Sequence, residues 1–130
     1  MTEVFKAQVM DLYFGGVAVE PPEYLEFGLS LTPANEAGLV VEPAHPSYQR
    51  REVPNDALTF PPAGLAGGVK LNAGEIRFPK ATGDWGEIKS LFVADPLGNV
   101  LLMGDVDLGR VGPAGPTVHI PPGWFTWRLP

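Results

Sequence analysis

Along most of this chain apolar and polar residues alternate in short runs, and Gly or Pro separates nearly every run from the next. In Tyr24–Leu31 the residues Leu25, Phe27, Leu29 and Leu31 fall on one face of an extended strand. Farther on, Ile88, Ser90, Phe92 and Ala94 alternate with Lys89, Leu91, Val93 and Asp95. Apolar residues occur in both rows, so this strand is expected to be covered on much of both faces. Pro96-Leu97-Gly98-Asn99 has the composition of a turn, and Val100–Met103 is a β-compatible apolar run, which together predict a hairpin. Shorter β candidates are Gly38–Val41, Ala57–Phe60, Gly68–Leu71, Glu75–Phe78, Val106–Val111, Thr117–Ile120 and Trp124–Leu129. Tyr48–Val53 reads as an edge strand whose Arg50, Arg51 and Glu52 discourage edge-to-edge pairing. About eight to ten strands at intervals of roughly 8–12 residues is the spacing of a sandwich or barrel. The expected fold is all-β, an antiparallel β-sandwich of jelly-roll type with one short N-terminal helix, with residues 1–130 forming a single domain.

The helix is predicted over Thr2–Phe14. Thr2 can cap it, Glu3 sits where the helix dipole favours negative charge, and Gly15-Gly16 stops it. Phe5, Val9, Leu12 and Tyr13 recur at helical spacing. About three turns of helix is marginal alone, so this stripe must dock. Two surfaces are open to it: the chain's own sheet, or a neighbouring subunit.

Between Phe78 and the hairpin lies Ala81-Thr82-Gly83-Asp84-Trp85-Gly86, a large aromatic between two glycines. Glycine permits a positive φ or close backbone approach, so Trp85 is expected to plug a tight corner while Asp84 accepts bonds from turn amides. Phe78, Asp84, Trp85 and Gly86 are thus the candidate turn and core residues. In the last strand parity places Phe125 and Trp127 on the core face, with Trp124 and Thr126 outward. An outward Trp124 suits either an interface anchor or a platform for stacking on sugar.

Composition narrows the function. Hydrophobic residues make up 45% of the chain and charged ones 18%, which is globular rather than disordered. A net charge of -6, with nine Lys and Arg in all, argues against binding nucleic acid. There is no cysteine, hence no disulfide or thiolate chemistry. No apolar stretch reaches the roughly 20 residues of a membrane span, and Met1–Gly16 lacks the plan of a secretory signal. Ser30, Ser47 and Ser90 sit in no nucleophile elbow, and His45 and His119 have no metal-ligand spacing. Asp105 and Asp107, with Asp84 or Asp95, could bind calcium, but no calcium-binding loop pattern is present and solvated strand-end charges are the simpler reading. No catalytic residue, metal or cofactor is expected.

The order of features resembles a family of small bacteriophage proteins labelled tail-fibre or minor virion structural proteins. The matching stretches are Leu12–Gly16, Pro21-Pro22, Tyr24-Leu25-Glu26-Phe27-Gly28-Leu29, Pro33–Gly38, Tyr48-Gln49-Arg50, Gly98-Asn99 and Pro122–Thr126. The most specific is Phe78-Pro79-Lys80-Ala81-Thr82-Gly83-Asp84-Trp85-Gly86. Trp124 and Trp127 are bulkier than the resemblance leads one to expect, which marks a different outer surface. The resemblance implies a virion component of β-sandwich fold without catalytic residues, made in the host cytoplasm. Capsid decoration and a tail-fibre or tip component are the two places it could occupy. Expected partners are other copies of the chain, other virion proteins such as the major capsid or tail proteins, and a host-surface glycan. A trimer is the expected assembly, from the symmetry of phage appendages. Trp124, Arg50, Arg51, Phe5 and Leu12 are the candidate interface residues. A carbohydrate-binding module is the alternative, and a small hydrolase is a weaker third reading.

Overall fold

The computed structural model describes residues 1–16, 20–63 and 69–127. The expected loop Pro61–Gly67, the start of the Gly68–Leu71 strand and the end of the Trp124–Leu129 strand fall partly outside these residues. One helix, α1 (Glu3–Tyr13), precedes eight strands: β1 (Tyr24–Ser30), β2 (Arg51–Pro54), β3 (Lys70–Leu71), β4 (Ile76–Arg77), β5 (Gly86–Ala94), β6 (Val100–Val111), β7 (His119–Ile120) and β8 (Thr126–Trp127).

Four of the strands form one antiparallel sheet in the order β2-β1-β5-β6. The β5–β6 hairpin turns through Asp95–Asn99, where Asp95 Oδ1 accepts from the amides of Leu97 and Asn99 at 3.0 and 2.8 Å, and Gly98 takes φ 91°. In register, Phe27 stands opposite Val93 and Leu29 opposite Leu91, so the apolar row foreseen in β1 meets that of β5 on one face. That face carries the main core, completed by Phe60, Ile76, Phe78, Trp85, Val111 and Ile120 among others. The opposite face is also covered. Phe92, Ala94 and Val100 pack there under Val40 and Met103, on the far side of the sheet from Phe27.

The remaining strands make two two-stranded ribbons, β3–β8 and β4–β7. The described strands therefore do not show a jelly roll. Two expected strands do not form: Ala57–Phe60 is a turn and Gly38–Val41 an irregular loop, and side chains explain both. Asp56 Oδ1 accepts from the amides of Leu58 and Thr59 at 3.1 and 2.8 Å, which closes 56–60 into a turn. Asn35 accepts from the Leu39 amide at 2.9 Å and donates to the Leu39 carbonyl at 2.8 Å, drawing 35–39 into a loop with Gly38 at φ 72°. These local bonds satisfy backbone groups that a second large sheet would need.

Two expected pieces merged: Val100–Met103 and Val106–Val111 are one continuous β6. This strand forms an edge of the sheet. A register shift between Ile88 and Ser90 opposite it, together with exposed Asp105 and Asp107, blunts it against pairing with another strand. The other edge is the short β2, as foreseen, carrying exposed Arg51 and Glu52 and ending at Pro54.

Candidate functional site

The helix is where the surface departs from an ordinary globular one. Thr2 is its N-cap, with Oγ1 accepting from the Phe5 amide at 3.4 Å. The same hydroxyl donates to the carbonyl of Val100 at 2.6 Å, and the Thr2 amide donates to that of Leu101 at 2.9 Å. Glu3 N–H bonds the carbonyl of Glu36 at 2.9 Å, and Lys6 reaches the Glu36 carboxylate at 3.5 Å. All of these bonds lie in the first turns. Thr2 itself is buried, yet no residue of α1 is. The helix is an arm fixed at its root.

The end of this arm exposes apolar side chains. Phe5, Val9 and Leu12 line a groove of about 1250 Å³ together with Leu25, Phe60, Leu101 and Trp127 of the body. Beyond the groove-lining residues Met10 is exposed, as are Tyr13 at 78%, at the end of the same stripe, and the C-capping Phe14 at 73%. An amphipathic helix normally buries its apolar stripe. Leu97, at the tip of the β5–β6 turn, stands 88% exposed on the groove's rim. The sequence thus identified the stripe: Phe5 packs against the core while lining the groove, as one expectation had it, whereas Leu12 stays exposed along the groove.

Thr2→Val keeps the side chain's shape and removes its hydroxyl. This change is expected to cost about 1–2 kcal/mol. Hydrogen exchange should accelerate across residues 3–13 while the amides of β5 and β6 keep their protection. Equal acceleration everywhere would show that the arm is not a separately anchored element.

A second exposed feature is the turn before β8. Asn72 is buried; its Nδ2 donates to the carbonyls of Gly74 and Pro121 at 2.8 and 2.9 Å, and its Oδ1 accepts from the Phe125 amide at 2.9 Å. These bonds pin the Pro121–Trp124 turn, so Trp124, 59% exposed, is held out rigidly. Phe125 and Trp127 pack against the core, following the predicted parity.

Arg50 and Arg51 have different surroundings. Arg51 is exposed on β2, whereas the Arg50 guanidinium is taken up. It bonds Glu42 through Nε at 2.8 Å and Nη2 at 3.0 Å, reaches Glu26 through Nη1 at 3.1 Å, and lies 5.0 Å over the Phe92 ring. Tyr48 Oη donates to Glu42 at 2.8 Å and accepts from the Leu29 amide at 3.0 Å. Burial raises the cost of charge on Glu42, but the bonds from Arg50 and Tyr48 outweigh it and hold the carboxyl below its usual range. Burial, with the Glu42 carboxylate beside it, pushes the Tyr48 phenol well up.

A depressed carboxyl contributes stability that is present above its unfolded value of 4.5 and is lost as pH falls through the lower folded value. The urea midpoint is therefore expected to fall as acid protonates Glu42. Glu42→Gln should lower the midpoint at neutral pH and flatten that fall. An unchanged acid limb in the variant would remove Glu42 from the explanation.

The Phe78–Gly86 block forms the corner that feeds β5. Phe78 and Trp85 are buried, and Gly86 takes φ 90°. Asp84 accepts from the Gly86 amide at 2.9 Å and pairs with Arg110 at 2.6 Å. The amide bond first, then the Arg110 charge, holds the Asp84 carboxyl below its ordinary value. Trp85 Nε1 donates to Ser47 Oγ at 2.8 Å, and Ser47 lies 2.8 Å from His45 Nδ1. Ser47 is a hub that sequence reasoning missed, because nothing in Pro46-Ser47-Tyr48 signals a bond to a residue 38 positions later. Asn72 was missed for the same reason, its longest bond spanning 53 positions. Among the described residues no group of three or more His, Asp or Glu could hold a metal ion, and no helix is long and apolar enough to cross a membrane.

Among the described residues the geometry presents an apolar arm over a groove and a pinned tryptophan. A family model described as podophage GP4 fiber I protein gp80 matches residues 1–128. The chain belongs to that family. It is thus a member of a phage fibre structural family, in agreement with the resemblance carried by the Phe78–Gly86 block, and is a virion protein. No curated protein matches it.

Proposed function

We propose that the chain is a non-enzymatic tail-fibre component on the outside of the particle. It acts as a rigid β-rich body whose arm face buries against other virion proteins. The observation that carries this reading is α1 itself: eleven residues, none buried, with Met10, Leu12 and Tyr13 exposed toward its end, and anchored through Thr2. Exposed apolar area of this kind marks an interaction surface. Phe5 and Leu12 contribute to it along the groove, and Tyr13 and Phe14 at the arm's exposed end. The acidic residues keep the body solvated.

The test separates folding from assembly. Tyr13→Glu with Phe14→Glu alters only exposed positions, so the unfolding free energy from urea titration is expected to change by less than about 0.5 kcal/mol. Incorporation into particles, read by quantitative mass spectrometry after complementation, should fall at least about tenfold, which corresponds to the loss of a 1.4 kcal/mol contact. Normal incorporation of the folded variant would exclude the exposed end of the arm from assembly.

The pinned turn supports a second role, contact with a host-surface glycan through Trp124. A ring held rigid before binding loses little conformational entropy on contact. Trp124→Ala should then slow adsorption to cells without changing incorporation. Unchanged adsorption would end that reading.

A further inference from the structure

The groove beneath the arm holds a clue to its occupant. At about 1250 Å³ it exceeds the roughly 300–1,000 Å³ of ordinary small-molecule sites, so it has room for several side chains of a polypeptide. Its interior is apolar, while Glu20, Glu23 and Asp56 stand exposed around it. Glu20 and Glu23 have no ion-pair partner among the described residues. Among the described residues the one lysine on the groove, Lys70, is already engaged, its Nζ donating to the carbonyls of Phe60 and Pro61 at 3.3 and 3.0 Å. The rim is therefore negative around an apolar interior.

We infer that this groove receives an amphipathic segment of a different virion protein, with apolar side chains inward and Lys or Arg at its flanks. This rests on the fibre-component reading and names the kind of partner the groove takes. A second copy of the chain fits poorly. Its own apolar arm carries Asp11 among Met10, Leu12 and Tyr13, has no basic residue in its last turn, and belongs to a chain of net charge -6. Charges of one sign juxtaposed at a rim oppose association, and opposite ones favour it.

The test uses the purified full chain, so its outcome does not depend on the particle or on the fibre reading. Trp127 lines the groove and reports on it; a Trp124→Phe background removes the exposed indole. The probes are a helical Leu/Lys peptide and its Leu/Glu counterpart, titrated at low salt. The Leu/Lys peptide is expected to shift the emission of Trp127 and the Leu/Glu peptide to leave it unchanged. Glu20→Lys with Glu23→Lys should weaken the response about three- to tenfold. Glu52→Lys with Asp107→Lys, which reverses charges elsewhere on the surface, should leave it intact. Equal weakening by both pairs, or equal binding of both peptides, overturns the inference. So does an absent peptide response together with self-association that Leu12→Lys abolishes, because the groove would then belong to a second copy.

Discussion

Trp85→Ala is expected to remove about 3–5 kcal/mol of folding stability, the usual cost of truncating a buried aromatic in a core that cannot collapse. The indole is only 2% exposed. Tyr48 packs its edge against the ring at 5.3 Å between centroids, and Nε1–H donates to Ser47 Oγ at 2.8 Å. Collapse is impeded because the site is fixed on two sides. Trp85 N–H is bonded to the Val111 carbonyl at 2.8 Å, and Gly86 turns the chain into β5 at φ 90°. A domain of this size has a total stability of about 5–15 kcal/mol, so the loss is a large fraction of it. Trp85→Phe keeps most of the volume and forfeits the bond to Ser47, and should cost about 1–2 kcal/mol. Urea unfolding at neutral pH checks both. Equal costs would mean that the indole nitrogen matters more than the ring's volume.

The second large effect comes from a residue with no side chain. A Cβ on Gly28 would overlap the Phe92 ring, meeting Cε1 at 2.6 Å and Cε2 at 2.8 Å as well as the Cζ atom between them. Phe92 cannot swing aside freely: it is fully buried, packed by Val40 and Met103, with the Arg50 guanidinium over its face. Gly28→Ala is therefore expected to destabilise by about 1–3 kcal/mol. Gly104→Ala, across the sheet in β6, meets nothing within 4 Å and should be tolerated. The decisive comparison is a double-mutant cycle. Phe92→Ala opens the space, so adding Gly28→Ala to it should cost much less than in the native chain. Additive effects would show that Phe92 is not the obstacle.

Both positions also show how far the chain could be read in advance. The alternation in Tyr24–Leu31 and Ile88–Asp95 revealed the central strands, and the two-sided burial of β5 followed from apolar residues in both its rows. Periodicity and capping located α1 to within a residue. Two things were not legible. Asp56 and Asn35 turn their own neighbourhoods into loops, and a short run such as Ala57–Phe60 carries no sign of which alternative its backbone will take. Long-range polar bonds were equally hidden, as Asn72 and Ser47 illustrate. The candidate site was half visible. The stripe Phe5, Val9, Leu12 announced that α1 must dock, but whether it would close onto the body or stand off from it depends on Thr2 tying only the first turn to β6. Arg50 reads as a surface charge in sequence because its partners Glu42 and Glu26 are eight and 24 positions away.

As a part of the tail fibre, this chain should sit on the tail of the particle in few copies. The most direct measurement is where the protein sits in purified particles and in how many copies, by antibody labelling in electron microscopy combined with quantitative mass spectrometry against the major capsid protein. The expected result is label confined to the tail and a copy number far below that of the capsid protein. Label over the head in a fixed ratio to the capsid protein, or no protein in the particle at all, would contradict it.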